Sequence, residues 1–356
     1  MTYYITESIR SKKYFSTLDT KKILVTGGAG YIGSHTVVSL LEAGFEPILV
    51  DNYCNSQPWI IKQLEELTGH SIKNYEVDCT DKLAVEAVFL KEEIHGVIHF
   101  AALKAVGESV EDPLKYYQNN IGSLVCIIDL MNKYKIKNLV FSSSCTVYGE
   151  ADFLPVTEDH PIKKAESPYG FTKQVCEQMI SDALLSKKLN RAVTLRYFNP
   201  IGAHHSGLIG ELPLGTPNNL VPFITQTAAG IRESLTVFGN DYNTIDGTCV
   251  RDYIHVMDLA EAHVKSLQTM ELNEKSYTLN IGTGKGSSVL EAIQAFEKVN
   301  DTKLNYKIGA KREGDIEQIY AETTLSETTL AWKTKRTLED AMRDAWKWQL
   351  YIQNKQ

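Results

Sequence analysis

A tyrosine and a lysine four residues apart, Tyr169 and Lys173, are the first candidates for chemistry in this chain of 356 residues. They follow Pro168, which predicts that a helix begins there and that both side chains share one of its faces. A free phenol has a pKa of about 10, too high for a base near neutral pH. A neighbouring ammonium favours the phenolate and would lower that pKa. The spacing thus indicates a tyrosine base, with an ordinary surface pair as the alternative.

A serine-rich segment, Phe141–Gly149 (FSSSCTVYG), lies upstream of the tyrosine. It continues an apolar run that predicts a strand, so its serines are expected at the carboxyl end of that strand. A serine hydroxyl there can bridge a substrate hydroxyl and the tyrosine oxygen. A serine-rich turn without a catalytic role is the alternative.

The segment Ile23–His35 (ILVTGGAGYIGSH) carries glycines at every third position, Gly27, Gly30 and Gly33. It follows an apolar run and leads into an amphipathic stretch, which predicts a strand, a turn and a helix. Gly27 suits the tight turn, Gly30 lets the backbone approach a pyrophosphate, and Gly33 lets the helix pack closely on the strand. The pyrophosphate would rest on the amides at the helix start.

Asp51 ends the next apolar run and defines the expected nucleotide preference. A carboxylate at this place can accept hydrogen bonds from both ribose hydroxyls of the adenosine and would repel a 2′-phosphate, so NAD is favoured over NADP. An ordinary helix-capping aspartate is the alternative. Asp78 and Cys79, after the third strand, are expected near the adenine, and Phe100–Lys104 follow the fourth strand at the same sheet edge.

The elements that must position these residues alternate between strand and helix. Short apolar runs at Lys22–Thr26, Pro47–Val50, Val97–Phe100 and Leu139–Phe141 predict strands. Helical patterns between them are typical of an α/β fold with a Rossmann-like, doubly wound parallel sheet. Two helical stretches carry apolar residues at steps of three and four, which form stripes that can face the sheet or, in part, a second subunit. These residues are Leu114, Tyr117, Ile121, Leu124, Ile128 and Met131 in the first stretch, and Val175, Cys176, Met179, Ile180, Ala183 and Leu184 in the second.

The pattern changes after about residue 196, where Gly, Pro and Asn punctuate a predicted loop at Asn199–Asn219. We therefore predict an N-terminal extension at 1–20, an NAD-binding Rossmann domain at 21–196, and a smaller mixed α/β substrate-binding domain at 197–356. Some segments of the last domain are expected to return to the first. The chain ends in a predicted helix around Leu338–Tyr351, and the ligand is expected in the cleft between the domains.

The composition of the chain argues against nucleic acid, a membrane and a metal ion as partners. A formal net charge of −7 argues against a chain-wide basic surface for nucleic acid. No apolar run approaches the roughly 20 residues that cross a membrane. None of the six cysteines has zinc-ligand spacing, so no metal site is expected, and reduced thiols in a cytoplasm are the favoured interpretation.

The glycine loop, Asp51, the serine-rich strand end and the Tyr–Lys pair come in the order of the extended short-chain dehydrogenase/reductase superfamily. From Lys21 onward the chain resembles, within it, the UDP-glucose 4-epimerase family. The strings that carry this resemblance are HFAALKAVGESV, SSSCTVYG, SPYGFTK, LRYFNPIGAH, PNNL, FGNDY, VRDYIHVMDLA and REGD.

The resemblance implies that Ser144 and Tyr169 are the catalytic pair and that Lys173 tunes the tyrosine. The implied NAD contacts are Gly27, Gly30, Tyr31, Ile32, Gly33, Asp51, Asn52, Tyr53, Cys54, Asn55, Ser56, Asp78, Cys79, Phe100, Ala101, Ala102, Leu103, Lys104, Asn119, Ser144, Tyr169, Lys173 and Phe198. The implied UDP-sugar contacts are Lys104, Ser144, Tyr169, Asn199, Asn219, Leu220, Phe238, Arg251, Tyr253, Arg312, Asp315 and Ile319.

The reaction implied is the interconversion of UDP-galactose and UDP-glucose through a transient 4-keto sugar, with tightly bound NAD and in a homodimer. Arg251 and Arg312 can neutralise the diphosphate, and Phe238 can stack on uracil or belong to the core. Cys145 and Thr146 stand where related dehydratases carry an acidic pair, which disfavours dehydration. UDP-N-acetylglucosamine and UDP-glucuronate epimerases are the alternatives, and Ile319, of intermediate size, predicts weak use of the N-acetylated sugar. A dehydrogenase that releases NADH and a non-catalytic NAD sensor are the other classes considered.

Overall fold

The computed structural model describes residues 20–312 and 315–355, so residues 1–19 of the predicted N-terminal extension lie outside the described residues. The strands are β1 (Lys22–Thr26), β2 (Glu46–Asp51), β3 (Lys73–Glu76), β4 (Ile94–His99), β5 (Asn138–Ser144), β6 (Arg191–Tyr197), β7 (Asn199–Ile201), β8 (Leu235–Phe238), β9 (Val250–His255), β10 (Tyr277–Ile281), β11 (Gly286–Ser288), β12 (Tyr306–Gly309) and β13 (Gln318–Ile319). The helices are α1 (Tyr31–Glu42), α2 (Trp59–Thr68), α3 (Lys82–Lys91), α4 (Val106–Glu111), α5 (Pro113–Tyr116), α6 (Gly122–Tyr134), α7 (Pro168–Leu185), α8 (Leu220–Ala228), α9 (Val256–Asn273), α10 (Val289–Asn300), α11 (Thr324–Leu330) and α12 (Leu338–Lys355). A π-helical turn spans Tyr117–Ile121, and a 3₁₀ helix spans Cys145–Tyr148.

Seven parallel strands form the central sheet in the order β3-β2-β1-β4-β5-β6-β10. The order of the first six is that of a Rossmann-like sheet, and the strand sequence reverses direction between β1 and β4. The four predicted strands coincide with β1, β2, β4 and β5, although β4 ends at His99, one residue before Phe100. The predicted α/β class with a doubly wound parallel sheet is confirmed.

Helices cover both faces of this sheet because its inner strands are apolar on both sides. On one face α1 and α9 contact each other, with Val37 and Leu259 in a shared core cluster. On the other face α3, α6 and α7 contribute Val85, Ile127 and Ile180 to a second cluster. The sheet is thus held rigidly in place, and its carboxyl edge is a fixed platform for the loops that follow the strands.

The predicted apolar stripe from Leu114 to Met131 is not one regular helix. It is divided between α5, the π-helical turn and α6, and the wider π turn changes which face each side chain occupies. Leu124 and Met131 are buried, whereas Leu114 is 67% exposed. The stripe therefore contributes side chains both to the core and to the surface of the protein. In α7, Cys176 is buried in the same manner.

The chain beyond residue 196 builds a smaller layer beside the large sheet. β7, β9, β11 and β13 form one sheet, and β8 pairs with β12. A separate core cluster contains Ile224, Phe296 and Met342 from α8, α10 and α12. α9 and β10 return to the large sheet. The predicted loop at Asn199–Asn219 begins with β7, and the predicted C-terminal helix is α12.

All six cysteines are free thiols. Among residues 20–312 and 315–355, no helix has both the length and the apolar character needed to cross a membrane. Across those same two ranges, no group of three or more His, Cys, Asp or Glu side chains is placed to hold a metal ion.

Candidate active site

The glycine loop joins β1 to the start of α1 at the carboxyl edge of the sheet. Gly27 adopts a left-handed φ of +67°, and its amide donates to the Val50 carbonyl at 2.7 Å. A Cβ on Gly33 would lie 2.2 Å from the Gly27 carbonyl oxygen, so only glycine allows this approach of helix to loop. Gly30 is the N-cap of α1 and has no side chain to accept from the first helical amides. These amides fit a pyrophosphate, and Tyr31 and Ile32 are the first residues of that turn.

The Asp51 carboxylate organises the loop that follows β2. Its Oδ2 accepts from the Ala29 amide at 3.0 Å, and its Oδ1 accepts from the Tyr53 amide and the Ser56 hydroxyl, both at 2.9 Å. Three of about four lone-pair positions are therefore used by the protein. Bonds from Asp51 to the ribose hydroxyls stay a prediction.

The remaining residues that are expected near the adenosine include several linked to one another by hydrogen bonds. The Asn52 amide group donates to Asp78 at 2.9 Å, and the Cys54 amide donates to the Asn52 side chain at 3.1 Å. Asn55 is exposed, whereas Cys79 is buried. Asp78 and Asp51 thus hold neighbouring loops at the end of the site that the sequence assigns to adenosine.

A residue that sequence analysis missed, Asn120, fixes the loop after β4. Its side chain accepts from the Leu103 amide at 2.8 Å and donates to the Leu103 carbonyl at 3.0 Å. It also donates to the Thr172 hydroxyl in α7 at 3.1 Å and accepts from the Asn119 side chain at 2.9 Å. The π-helical turn brings it there. The available signal was a polar residue three positions after Tyr117 and four before Leu124, at the spacing of the apolar stripe.

The loop held by Asn120 runs along the glycine loop. The Phe100 amide donates to the Thr26 carbonyl, and the Ala101 amide to the Thr26 hydroxyl at 3.3 Å. A Cβ on Gly27 would lie 3.0 Å from the Ala101 nitrogen. Ala102 and Lys104 continue this loop toward the cleft. The loops after β1 and β4 therefore form one continuous wall.

Ser144, Tyr169 and Lys173 lie together at the ends of β5 and the start of α7. Ser144 is the last residue of β5 and its side chain accepts from the Thr146 amide at 3.3 Å. The Ser167 side chain caps α7 by accepting from the Gly170 amide at 3.1 Å, and Pro168 is the first helical residue. This start places Tyr169 and Lys173 one turn apart on the side facing β5.

The Lys173 ammonium is buried and donates to the Ser142 carbonyl at 2.7 Å. Its Nζ lies 6.0 Å from the centre of the Tyr169 ring and 5.0 Å from that of Phe141. The Lys173 ammonium thus lies near the tyrosine ring, while its hydrogen bond goes to the Ser142 carbonyl.

Burial shifts the pKa of both groups, the Tyr169 phenol and the Lys173 ammonium. It raises the pKa of the Tyr169 phenol well above its usual range, and the Ser144 side chain acts in the opposite direction. It lowers the pKa of Lys173 from 10.5 to about 8. The sequence predicted a lowered phenol pKa. In the protein alone desolvation is the largest contribution and raises this pKa. The expected lowering also depends on the positive nicotinamide of a bound NAD, so it stays a prediction for the loaded site.

Several substrate candidates converge near Ser144. Phe198 and Ile319 share a buried cluster with Cys145. β9 places Arg251 opposite Ile319 and Tyr253 opposite Asn199. Burial raises the pKa of the Cys145 thiol to about 12, and the positive charge of Arg251 opposes this rise.

A second group of substrate candidates lies in the smaller layer. The Arg312 guanidinium donates to the Asp315 carboxylate at 2.9 and 3.1 Å and covers the Phe238 ring at 4.5 Å from its centre. Phe238 is 38% exposed, so it is not a core residue. Its stacking partner in this structure is a guanidinium. Asn219 and Leu220 begin α8, with Asn219 at the N-cap.

Comparisons with known proteins agree with this geometry. A family model described as NAD dependent epimerase/dehydratase family matches residues 23–282. The chain is 50% identical over 327 residues to a UDP-glucose 4-epimerase of Bacillus subtilis (strain 168), covering 92% of this chain and 96% of that protein.

Two solved structures are similar over nearly the whole chain. A UDP-glucose-4-epimerase from Stenotrophomonas maltophila with bound NAD and formylated UDP-arabinopyranose has a TM-score of 0.92 and 46% identity, over 94% of this chain and 100% of that one. The UDP-glucose 4-epimerase from Bifidobacterium longum in complex with NAD⁺ and UDP has a TM-score of 0.89 and 44% identity, over 94% and 99%.

The lowered pKa of Lys173 predicts a specific dependence of stability on pH. Between about 8 and 10.5 the unfolded chain binds a proton on this lysine that the folded protein does not, so the free energy of unfolding rises with pH. Lys173→Met removes this term. We expect the free energy of unfolding of the unmodified protein, minus that of the variant, to increase by on the order of 1 kcal/mol per pH unit in this range. Denaturant titrations at several pH values measure it, and a difference that is flat or falls with pH contradicts the assignment.

Proposed function

The chain belongs to the NAD dependent epimerase/dehydratase family, and we propose that it is an isomerase that interconverts UDP-galactose and UDP-glucose. The observation that carries this proposal is the meeting of Ser144, Tyr169 and Lys173 at the sheet edge that the glycine loop also lines. Relatives about 49% identical over 92% of the chain are UDP-glucose 4-epimerases, which supports the choice of sugar nucleotide.

The residues present fit an NAD molecule. The amides at the start of α1 would hold the pyrophosphate, and Asp51 would accept from the ribose hydroxyls of the adenosine. The loop after β4 would contact the part of the cofactor that extends toward Tyr169. NAD, when bound, would supply a reversible acceptor for the hydrogen on C4′ of the sugar and a positive charge beside the phenol. The cofactor is regenerated in each turnover, so tight retention is expected.

Tyr169 is proposed to take the proton of the 4′-hydroxyl as C4′ is oxidised, and to return it after the 4-keto sugar has presented its other face. The Ser144 hydroxyl bridges the sugar oxygen and the phenol, which lines up the proton path. Lys173 favours the phenolate through its charge. The same tyrosine serves both directions, so the net reaction is an inversion at C4′ without a change in oxidation state.

The UDP part is proposed to stay anchored while the sugar turns. Arg312, presented by Asp315 and stacked on Phe238, and Arg251, near Ser144, carry the charges that suit a diphosphate. The phosphates bring more negative charge than Asp315, so Arg312 can exchange one partner for the other.

We infer a functional division at residue 196, with residues 21–196 serving NAD and residues 197–356 serving the UDP-sugar, apart from α9 and β10. A cytoplasmic location is proposed from the six free thiols, which suit a reducing compartment.

We expect the purified protein to convert UDP-galactose to UDP-glucose without added NAD, because the cofactor is retained. Tyr169→Phe is expected to lower kcat by about 10²- to 10⁴-fold, since the oxygen that takes the proton is gone. A coupled assay for UDP-glucose, run beside a measurement of net NADH, tests both points. Tyr306→Phe, which changes a partly exposed tyrosine on β12, is the matched control and should retain full activity.

Other outcomes of this assay reject the proposal in different ways. NADH accumulating in proportion to substrate would make the protein a net dehydrogenase. No conversion, even with NAD supplied, would exclude UDP-galactose and turn the search to UDP-hexuronates and UDP-N-acetylhexosamines.

A second substrate, UDP-N-acetylglucosamine, is proposed from Ile319. This side chain is buried beside Phe198 and Cys145, so its size sets the room on that side of the sugar pocket. Isoleucine leaves more space than an aromatic residue and less than a small one, and we expect weak conversion. The same assay with UDP-N-acetylglucosamine measures it. Undetectable conversion beside brisk turnover of UDP-galactose would end this part of the proposal.

We propose a homodimer formed through the helices from α4 to α7. Val110, Leu114, Val125 and Phe171 expose apolar side chains on these neighbouring helices. Such residues, grouped on one side of the protein, suit a partner surface of the same kind.

Val125→Glu places a charge on this surface and is expected to shift the protein from dimer to monomer, because an unpaired charge in an apolar interface is costly. Sedimentation or light scattering reports the mass. Leu272→Glu, an exposed site at the end of α9 on the opposite face of the sheet, is the control and should remain dimeric. A monomeric unmodified protein, or a Val125→Glu variant that stays dimeric, would contradict the assignment.

A further inference from the structure

An acidic side chain, Glu211, contacts two of the expected substrate residues but belongs to neither set of expected contacts. Its Oε1 accepts from the Lys104 ammonium at 3.2 Å and from the Asn219 side-chain amide at 2.5 Å. The Glu211 side chain is 12% exposed, so this carboxylate is mostly shielded from water. One oxygen thus joins two side chains that the sequence assigns to substrate binding.

The two partners of Glu211 come from different parts of the fold. Lys104 ends the loop after β4, which runs along the glycine loop. Asn219 is the N-cap of α8 in the smaller layer. Glu211 precedes Asn219 by 8 positions but is 107 positions from Lys104, so the bridge to the lysine exists only in the fold.

The backbone at Glu211 is fixed by α12. The Trp348 indole donates to the Glu211 carbonyl at 2.8 Å. A Cβ on the preceding residue, Gly210, would lie 2.4 Å from the Trp348 ring, so the chain passes directly against the indole. Gly210 also bridges to Ala203. The carboxylate is therefore presented from a rigid support and is not a freely rotating surface acid.

The charge of Glu211 has consequences beyond these two bonds. Burial raises the pKa of Tyr31 well above its usual range, and the negative charge of Glu211 adds to that rise. Tyr31 begins α1 at the glycine loop, so the carboxylate lies within electrostatic reach of the nucleotide site. A carboxylate near a proposed diphosphate site is unfavourable unless a cation compensates it. Lys104 is that cation.

We propose that Glu211 is a positioning residue that holds Lys104 and Asn219 in the orientation in which the UDP-sugar meets them. This inference rests on the proposed function, because it takes both partners as substrate contacts. Glu211 acts through them and does not touch the reacting carbon. Its loss should therefore weaken binding of the UDP part and leave proton transfer at Tyr169 nearly intact.

The test compares Glu211→Ala and Glu211→Gln with the unmodified holoenzyme. For Glu211→Ala we expect KM for UDP-galactose and Kd for UDP, measured by calorimetry, to rise about tenfold, with kcat within about threefold. Glu211→Gln keeps an oxygen that accepts from Asn219 and loses the charge opposite Lys104, so an intermediate rise is expected. Asp129→Ala, which removes a carboxylate paired with Lys82 on the surface, is the matched control and should change neither constant.

A second comparison, made in a variant that lacks both partners of Glu211, separates a positioning role from general damage to the fold. In a Lys104→Ala/Asn219→Ala protein, adding Glu211→Ala should change Kd for UDP by less than about twofold, because the residues through which it acts are gone. A further tenfold loss in that background overturns the proposal. Unchanged KM and Kd in the single variant also overturn it. Tighter UDP binding would do the same, because it would show that Glu211 competes with the diphosphate for Lys104.

Binding of UDP is measured without turnover, so the two proposals can fail separately. If the unmodified protein does not convert UDP-galactose but Glu211→Ala weakens UDP binding, the choice of substrate is wrong and the positioning role stands. If UDP-galactose is converted and Glu211→Ala changes neither KM for UDP-galactose nor Kd for UDP, the positioning role is wrong and the function stands.

Discussion

The parallel order of the central sheet is the constraint on which the site depends. In a parallel sheet every strand delivers its following loop to the same edge. Because β1 and β4 are neighbours whose connections leave in opposite directions, the glycine loop and the loop at Phe100–Lys104 meet there. β5 is next in line and brings Ser144 to the same edge. Residues far apart in the chain are thus brought together by strand order, with short loops that keep their geometry.

Burial then determines what these side chains can do. A phenolate and an ammonium both lose favourable hydration when water is excluded, so the pKa of Tyr169 rises and that of Lys173 falls. The Ser142 carbonyl compensates the lysine in part. The tyrosine needs a further positive charge beside it before its phenolate is favoured. In the function proposed above, the positive nicotinamide of bound NAD would supply this charge.

Local patterns were enough to predict the elements that carry the site. The glycine spacing, the strand ends and the Ser167–Pro168 start of α7 are encoded within a few residues each, since turns, caps and apolar runs depend on near neighbours. The π-helical turn was missed because a stripe of apolar residues at steps of three and four is also typical of a regular helix. The number of lone pairs left on Asp51 was beyond sequence because its donors, Ala29 and Ser56, are set by the fold.

Two polar residues that sequence analysis missed, Asn120 and Glu211, both fix the loop after β4. Asn120 holds both backbone groups of Leu103 and reaches α7 through Thr172, the residue before Lys173. Glu211 holds the next side chain, that of Lys104, and reaches α8. The loop is therefore fixed at two adjacent residues, one tied to α7 and the other to the smaller layer. Because both ties are hydrogen bonds from side chains with several partners, the position of this loop depends on α7 and on the N-terminus of α8 together.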